Sequence, residues 1–155
     1  MQSGNIIKLQ VQHKKELPSQ EVSSLEMAEG MGIFGDCHSI GGEKQVALIS
    51  SETKKWMETQ SSGLCMKRFH ENLVTQGIDY SLLECGDQLE TDTIMLQISA
   101  YSKRCFSECE LVSEKKTCKL KTGILFAKVM KSGMLYVGDP IWTNKCDKQD
   151  NESLL

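Results

Sequence analysis

No apolar run in this sequence approaches the roughly 20 residues that a bilayer-spanning helix needs. Nothing in it reads as a membrane anchor. Positive charge is not in excess either: 18 Lys and Arg stand against 21 Asp and Glu, a formal net charge of −3. That balance argues against a general binder of nucleic acid or of membrane surfaces. The opening stretch, MQSGNIIKLQVQHKK, lacks the basic start and apolar centre of a signal peptide. A disulfide framework is not indicated, because the 7 cysteines are odd in number and irregularly spaced. Together these absences predict free thiols in a reducing compartment, with the cytoplasm as the default. Zinc lacks its usual second pair of ligands. Cys105 and Cys109 have a C-x3-C spacing, but Cys118 stands alone, and His13, His38 and His70 form no H-x3–5-H partner. There is no internal repeat, and no linker marks a second domain.

What is present is an ordinary globular chain. Its 155 residues, 39% hydrophobic and 25% charged, suffice for one domain with a sizeable core. We read residues 1–143 as that domain and 144–155, the polar NKCDKQDNESLL, as a flexible tail. Most of the chain reads as strands. Asn5 to Gln12 alternates Ile7, Leu9 and Val11 against Lys8 and Gln10, and Thr93 to Tyr101 alternates Ile94, Leu96 and Ile98 against Met95 and Gln97. Gln45 to Ile49 is a short apolar run. Gly123 to Met130 is another, and the turn Ser132-Gly133 to Met134–Val137 suggests a hairpin. The clearest helix is Glu52 to Thr59, with Ser51 as its cap, Trp56 and Met57 on its apolar side, and Ser61-Ser62-Gly63 ending it. The expected fold is therefore mainly β, mostly antiparallel, a barrel or sandwich with one or two short helices.

Two stretches carry candidate chemistry. Gly30 to Gly42, GMGIFGDCHSIGG, has five glycines that permit turns closed to other residues and let a ligand approach the main chain. Asp36, Cys37 and His38 are embedded there, with Lys44 just beyond to meet an anion. The loop reads equally as the rim of a pocket or as a tight connection in which Asp36 and His38 satisfy local backbone groups. The second stretch, Lys103 to Ala127, holds Cys105, Cys109 and Cys118. Lys115, Lys116 and Lys119 lie close to Cys118 in sequence, and cationic neighbours favour the thiolate that cysteine chemistry requires. The alternative is three small buried hydrophobes.

These residues also carry a resemblance. Gly32-Ile33-Phe34-Gly35-Asp36-Cys37-His38, followed by Lys44-Gln45-Val46-Ala47-Leu48-Ile49, resembles the G-x-x-G-D-x-H … R-Q-V-S-L-L signature of the MOSC family, the C-terminal domain of molybdenum-cofactor sulfurases. Phe69-His70-Glu71-Asn72-Leu73 with Gly77-Ile78, Cys85-Gly86-Asp87-Gln88-Leu89, Phe126-Ala127-Lys128-Val129 and Gly133 to Asp139 resemble later family segments in the same order. Lys103 to Cys118 fits the K-x-C-x3-C-x8-C pattern of the small bacterial members. The resemblance departs at Lys44, where the family has arginine and its bidentate grip. It departs also at Phe106, where a histidine is frequent, and around Cys118, whose flanks lack the usual proline.

The resemblance implies a MOSC-type β-barrel and a link to molybdenum cofactor (molybdopterin), the pterin dithiolene that carries the metal and a phosphate. It implies that Cys118 ligates molybdenum or carries sulfur as a persulfide, both suited to a soft thiolate. Cys109 and Cys105 match the earlier cysteines of the motif. For the phosphate, the cations in matched segments are Lys44, Lys67, Arg68, Lys103 and Arg104. For the pterin edge, Glu71 and Asn72 are candidates, although both also suit local structural bonds; Asp36 and His38 complete the set. The chain has no PLP-dependent desulfurase domain, so a sulfur transferase of this kind would need a separate cysteine desulfurase or other donor. Its acceptor would be a molybdoenzyme or a cofactor-biosynthesis protein. The alternative is a non-catalytic module that binds and delivers the cofactor.

Overall fold

A computed structural model describes residues 1–59, 70–101 and 123–145. Its strands are β1 (Ser3–Val11), β2 (Gln20–Val22), β3 (Ser24–Ala28), β4 (Gly32–Ile33), β5 (Val46–Ser50), β6 (Leu73–Gln76), β7 (Gln88–Glu90), β8 (Met95–Tyr101), β9 (Ile124–Lys131), β10 (Gly133–Tyr136) and β11 (Pro140–Asn144). One helix, α1 (Ser51–Glu58), follows β5, and a single 3-10 turn covers Tyr80–Leu82.

Seven strands close into a barrel in the order β11-β7-β8-β9-β5-β6-β1, with β1 returning to β11. The closure rests on β1, whose residues Ser3–Asn5 pair with β11 while Leu9–Val11 pair with β2, an added edge strand. Closing the sheet removes the exposed edges that would otherwise invite pairing with other chains. The pairings are antiparallel except β5 with β6, where α1 lies in the crossover. A small second sheet, β10-β3-β4, packs beside the barrel.

The period-two pattern of β8 is realised: Ile94, Leu96 and Ile98 are all buried in the barrel interior. That of β1 is not. Ile6 is fully buried and Ile7 is exposed, because the register against β6 slips between Ile6 and Lys8. A bulge advances the alternation by one residue, so Leu9 and Val11 return to the core while Ile7 does not. The expected hairpin at Ser132-Gly133 does not form. β10 pairs with β3, and the Ser132 hydroxyl accepts from the Glu29 N–H. The boundary expected at Asn144 falls on the last residue of β11, which pairs with Gln88.

A second apolar layer lies outside the barrel. Ala47, Ile49, Val74, Ile124 and Phe126 face outward from β5, β6 and β9, and Met57 of α1 covers them with Trp56 beside it. The cap of α1 is Ser50 rather than Ser51. Ser50 is extended (φ −74°, ψ 150°), and its Oγ accepts from the Thr53 N–H. Ser51 is already helical, and its hydroxyl has no partner among the described residues. Ser50→Ala should therefore lower stability by about 1 kcal/mol in urea unfolding, with Ser51→Ala close to wild type. Equal losses from the two would return the cap to Ser51.

Candidate functional site

Hydrogen bonds within the glycine-rich loop tie it into a compact knot. All five of its glycines lie at positive φ. The requirement is strictest at Gly32 (φ 125°), where an added Cβ would come within 2.5 Å of the Ser39 side chain. Gly32→Ala should cost about 2–3 kcal/mol from strain and overlap together, read from the urea midpoint; a loss under about 0.5 kcal/mol would mean the loop is free to shift.

Asp36 sits at the centre, its side chain 1% exposed. The Gln12 N–H donates to Oδ1 at 3.0 Å and the His38 N–H to Oδ2 at 3.1 Å. Asn72 Nδ2 donates to the same Oδ1 at 3.2 Å. Asn72 in turn accepts from the Ala47 N–H at its Oδ1 and donates to the Gln10 carbonyl. One carboxylate and one amide thus hold together the end of β1, the start of β5, the start of β6 and the loop. Gln45 does similar work beside them, accepting from the Val129 N–H and donating to the Gly30 and Gly42 carbonyls.

His38 lies at the surface of this knot, its Nδ1 3.4 Å from the Cys37 thiol and 3.9 Å from Asp36 Oδ2. The three do not form a relay, because the sulfur and the carboxylate face the same ring nitrogen. Partial burial pushes the Cys37 thiol above its ordinary pKa, and the Asp36 charge adds to the rise. Cys37 is therefore held as the unreactive thiol at neutral pH. Its iodoacetamide alkylation at pH 7 should be slower than that of free cysteine, gaining rate only at higher pH. A rate matching free cysteine at pH 7 would contradict this.

The other predicted residues lie elsewhere. Lys44 is exposed and places Nζ 5.0 Å from the Phe126 ring centroid, a cation–π contact on the outer layer. Glu71, 2% exposed, lies beneath α1, where Lys54 Nζ approaches its Oε1 at 2.5 Å. The approach lies outside hydrogen-bonding geometry, so the oxygen is neutralised by the ion pair without receiving a hydrogen bond. Cys105, Cys109, Cys118, Lys67, Arg68, Lys103 and Arg104 lie outside the described residues. Among the described residues no cluster of three His, Cys, Asp or Glu side chains could hold a metal, and no helix is long and apolar enough to cross a membrane.

At the opposite end of β6 from Asn72 is a cleft of about 640 Å³. It is lined by the cap and first turn of α1 (Ser50, Ser51, Glu52, Thr53), by Gln76 at the end of β6 with Gly77 and Asp79 beyond it, and by Gly123. Its volume is that of a small-molecule site. In sequence, the stretch carrying the three cysteines lies between Tyr101, which pairs with Leu125, and Gly123, which is on the cleft wall. Gly123 is pressed against α1, since a Cβ there would lie 2.0 Å from Thr53 Oγ1. Sequence reasoning missed this cleft. Its one signal was the polar Ser50-Ser51-Glu52-Thr53 turn that ends an apolar strand, which was read only as a helix start.

A family model for the MOSC domain matches residues 35–142. Among solved structures, the chain is similar to the YuaD protein from Bacillus subtilis, at 17% identity and a TM-score of 0.70, covering 95% of this chain and 100% of that one. It is similar to YiiM from Geobacillus stearothermophilus, at 17% identity and a TM-score of 0.61, covering 92% of this chain and 75% of that one. It is also similar to YiiM from Escherichia coli, at 16% identity and a TM-score of 0.59, covering 92% and 70%. No curated protein matches the sequence.

Proposed function

The chain belongs to the MOSC domain family, and from that premise we propose that it is a molybdenum-cofactor-associated protein that carries sulfur as a persulfide on Cys118. The observation that supports this reading is the placement of Gly123, the residue that follows the cysteine-bearing stretch 102–122 in sequence, on the wall of a polar cleft. A thiol delivered there would work beside a bound organic group, not in open solvent. The polar groups lining the cleft, the hydroxyls of Ser51 and Thr53 and the Gln76 amide as donors and the carboxylates of Glu52 and Asp79 as acceptors, suit the hydrogen-bonding edge of a pterin. When bound, the cofactor would supply a metal centre able to accept sulfur or a thiolate ligand. The chain's own part is to hold the ring and present Cys118.

In the transfer step the Cys118 thiolate attacks the terminal sulfur of a persulfide on a separate cysteine desulfurase. A sulfur–sulfur bond forms on Cys118 as the donor's bond breaks, and the donor cysteine leaves as thiolate. Cys105 and Cys109 precede this thiol in sequence. Lys103, Arg104, Lys67 and Arg68 supply cations for the phosphate, while Asp36 and Asn72 build the frame. Cleft binding also favours a second reading, a module that binds and delivers cofactor without carrying sulfur.

Peptide-resolved mass spectrometry after incubation with a desulfurase and cysteine, without reductant, separates the two. One added sulfur atom on Cys118, absent in Cys118→Ser and removed by cyanide, is the expected result. Sulfur scattered over several cysteines, or on none, would sink the carrier and leave the delivery module.

A further inference from the structure

We propose that the outer face of the β10-β3-β4 sheet is a docking site for an arginine side chain of a partner protein, presented between apolar residues. It stands apart from the cleft and from the cysteine-bearing stretch.

The sheet is two-sided. Leu25, Met27, Ile33 and Leu135 are buried in the main apolar cluster, so strand alternation sends Glu26, Met134 and Tyr136 to the other side. The Phe34 N–H donates to the Glu26 carbonyl at 2.9 Å, which continues the β3–β4 ladder by one residue and sets Phe34 opposite Glu26. On the other flank of β3, Met134 pairs with Glu26 and Tyr136 with Ser24. Glu26 therefore stands between Met134 and Phe34 in one cross-strand row, with Tyr136 on the diagonal. Directly opposed residues have Cβ atoms about 5 Å apart, and diagonal ones lie within about 8 Å.

Phe34 is 62% exposed and Tyr136 49%. Single exposed apolar residues are ordinary, but here two rings and a thioether border one carboxylate. That carboxylate has no ion pair among the described residues. Glu26 is also the one acidic or basic residue in the three strands. The adjoining segments add Glu29 and Asp139 against Lys131, so the local charge is negative.

A partner that fits this face brings positive charge and a flat apolar surface to one point. A guanidinium does both, lying on an aromatic ring while its N–H groups meet a carboxylate. An ammonium is a compact, strongly hydrated charge and uses the rings less well. A wholly apolar partner would bury Glu26 without a counter-charge, at a cost. A second copy packed about a two-fold axis would set the same acidic patch against itself.

The test titrates the isotope-labelled full chain with a short peptide carrying one arginine between leucines, followed by NMR at low salt. Analogues carry citrulline or lysine in place of the arginine. The expected result is saturable shifts at the amides of Glu26, Phe34, Met134 and Tyr136. Citrulline, which keeps the shape and removes the charge, should weaken binding about tenfold, and lysine about threefold. Glu26→Gln should weaken the arginine peptide about tenfold, to the level of citrulline, and Phe34→Ala about fivefold. Both side chains are exposed, so the urea midpoints of the two variants should match wild type. Equal binding of the arginine and citrulline peptides would overturn the proposal. So would wild-type affinity in Glu26→Gln, shifts confined to other surfaces, or no saturable binding. A wild-type chain that dimerises in sedimentation, with the dimer lost in Phe34→Ala, would overturn it in favour of a second copy.

Discussion

Asp36→Ala is expected to lower the folding free energy by about 3–5 kcal/mol, among the largest single effects in the molecule. The carboxylate accepts from the main chain at Gln12 and His38 and from the Asn72 amide, all with its side chain 1% exposed. Deleting it leaves the buried Gln12 N–H without its acceptor and frees the loop at His38. Each orphaned donor costs about 1–3 kcal/mol, and bonds to an ionised acceptor lie toward the upper end. Asp36→Asn separates acceptor from charge. It keeps one oxygen but turns an NH2 toward backbone donors, so it should fall between wild type and alanine. Urea unfolding at neutral pH reads both. A loss below about 1 kcal/mol for alanine would mean that water replaces the carboxylate and that the knot does not hold these strands together.

The same knot explains which parts of the fold were legible in the sequence. Asp36 and Asn72 lie 36 positions apart, in two segments matched independently to the family, and they meet at 3.2 Å. The two motifs were readable as segments, but the bond between them was not, because a side-chain contact across 36 positions leaves no local pattern. Local periodicity was readable where pairing is regular, as at Ile94, Leu96 and Ile98. It failed at Ile7, since a bulge is a property of the partner strand's register and leaves no mark in the composition of β1. The supposed hairpin at Ser132-Gly133 failed for a related reason. A turn signal states that the chain reverses or bends, not which strand receives it, and β3 was the better partner. The cleft was the least legible part. Ser51, Gly77 and Gly123 come from three separate segments and are ordinary residues in each; only the barrel brings them together.

Lys54→Met is expected to cost about 3–5 kcal/mol although Lys54 is a lysine on a short surface helix. A lysine in such a place usually contributes little. Here its Nζ neutralises Glu71, a carboxylate 2% exposed whose Oε1 receives no hydrogen bond. Removing the amine leaves an uncompensated buried charge beneath α1, and the helix must lift or the barrel must open to hydrate it. The pair itself need not be strongly stabilising, because desolvating both ions offsets most of their attraction. Lys54→Met combined with Glu71→Leu should therefore recover most of the loss, and Glu71→Gln should fall between. A double-mutant cycle from urea unfolding measures the coupling directly. If the Met and double variants lose the same amount, the cost lies in packing around α1 and not in the charge. A Lys54→Met protein as stable as wild type would place Glu71 in contact with solvent, contrary to its burial here.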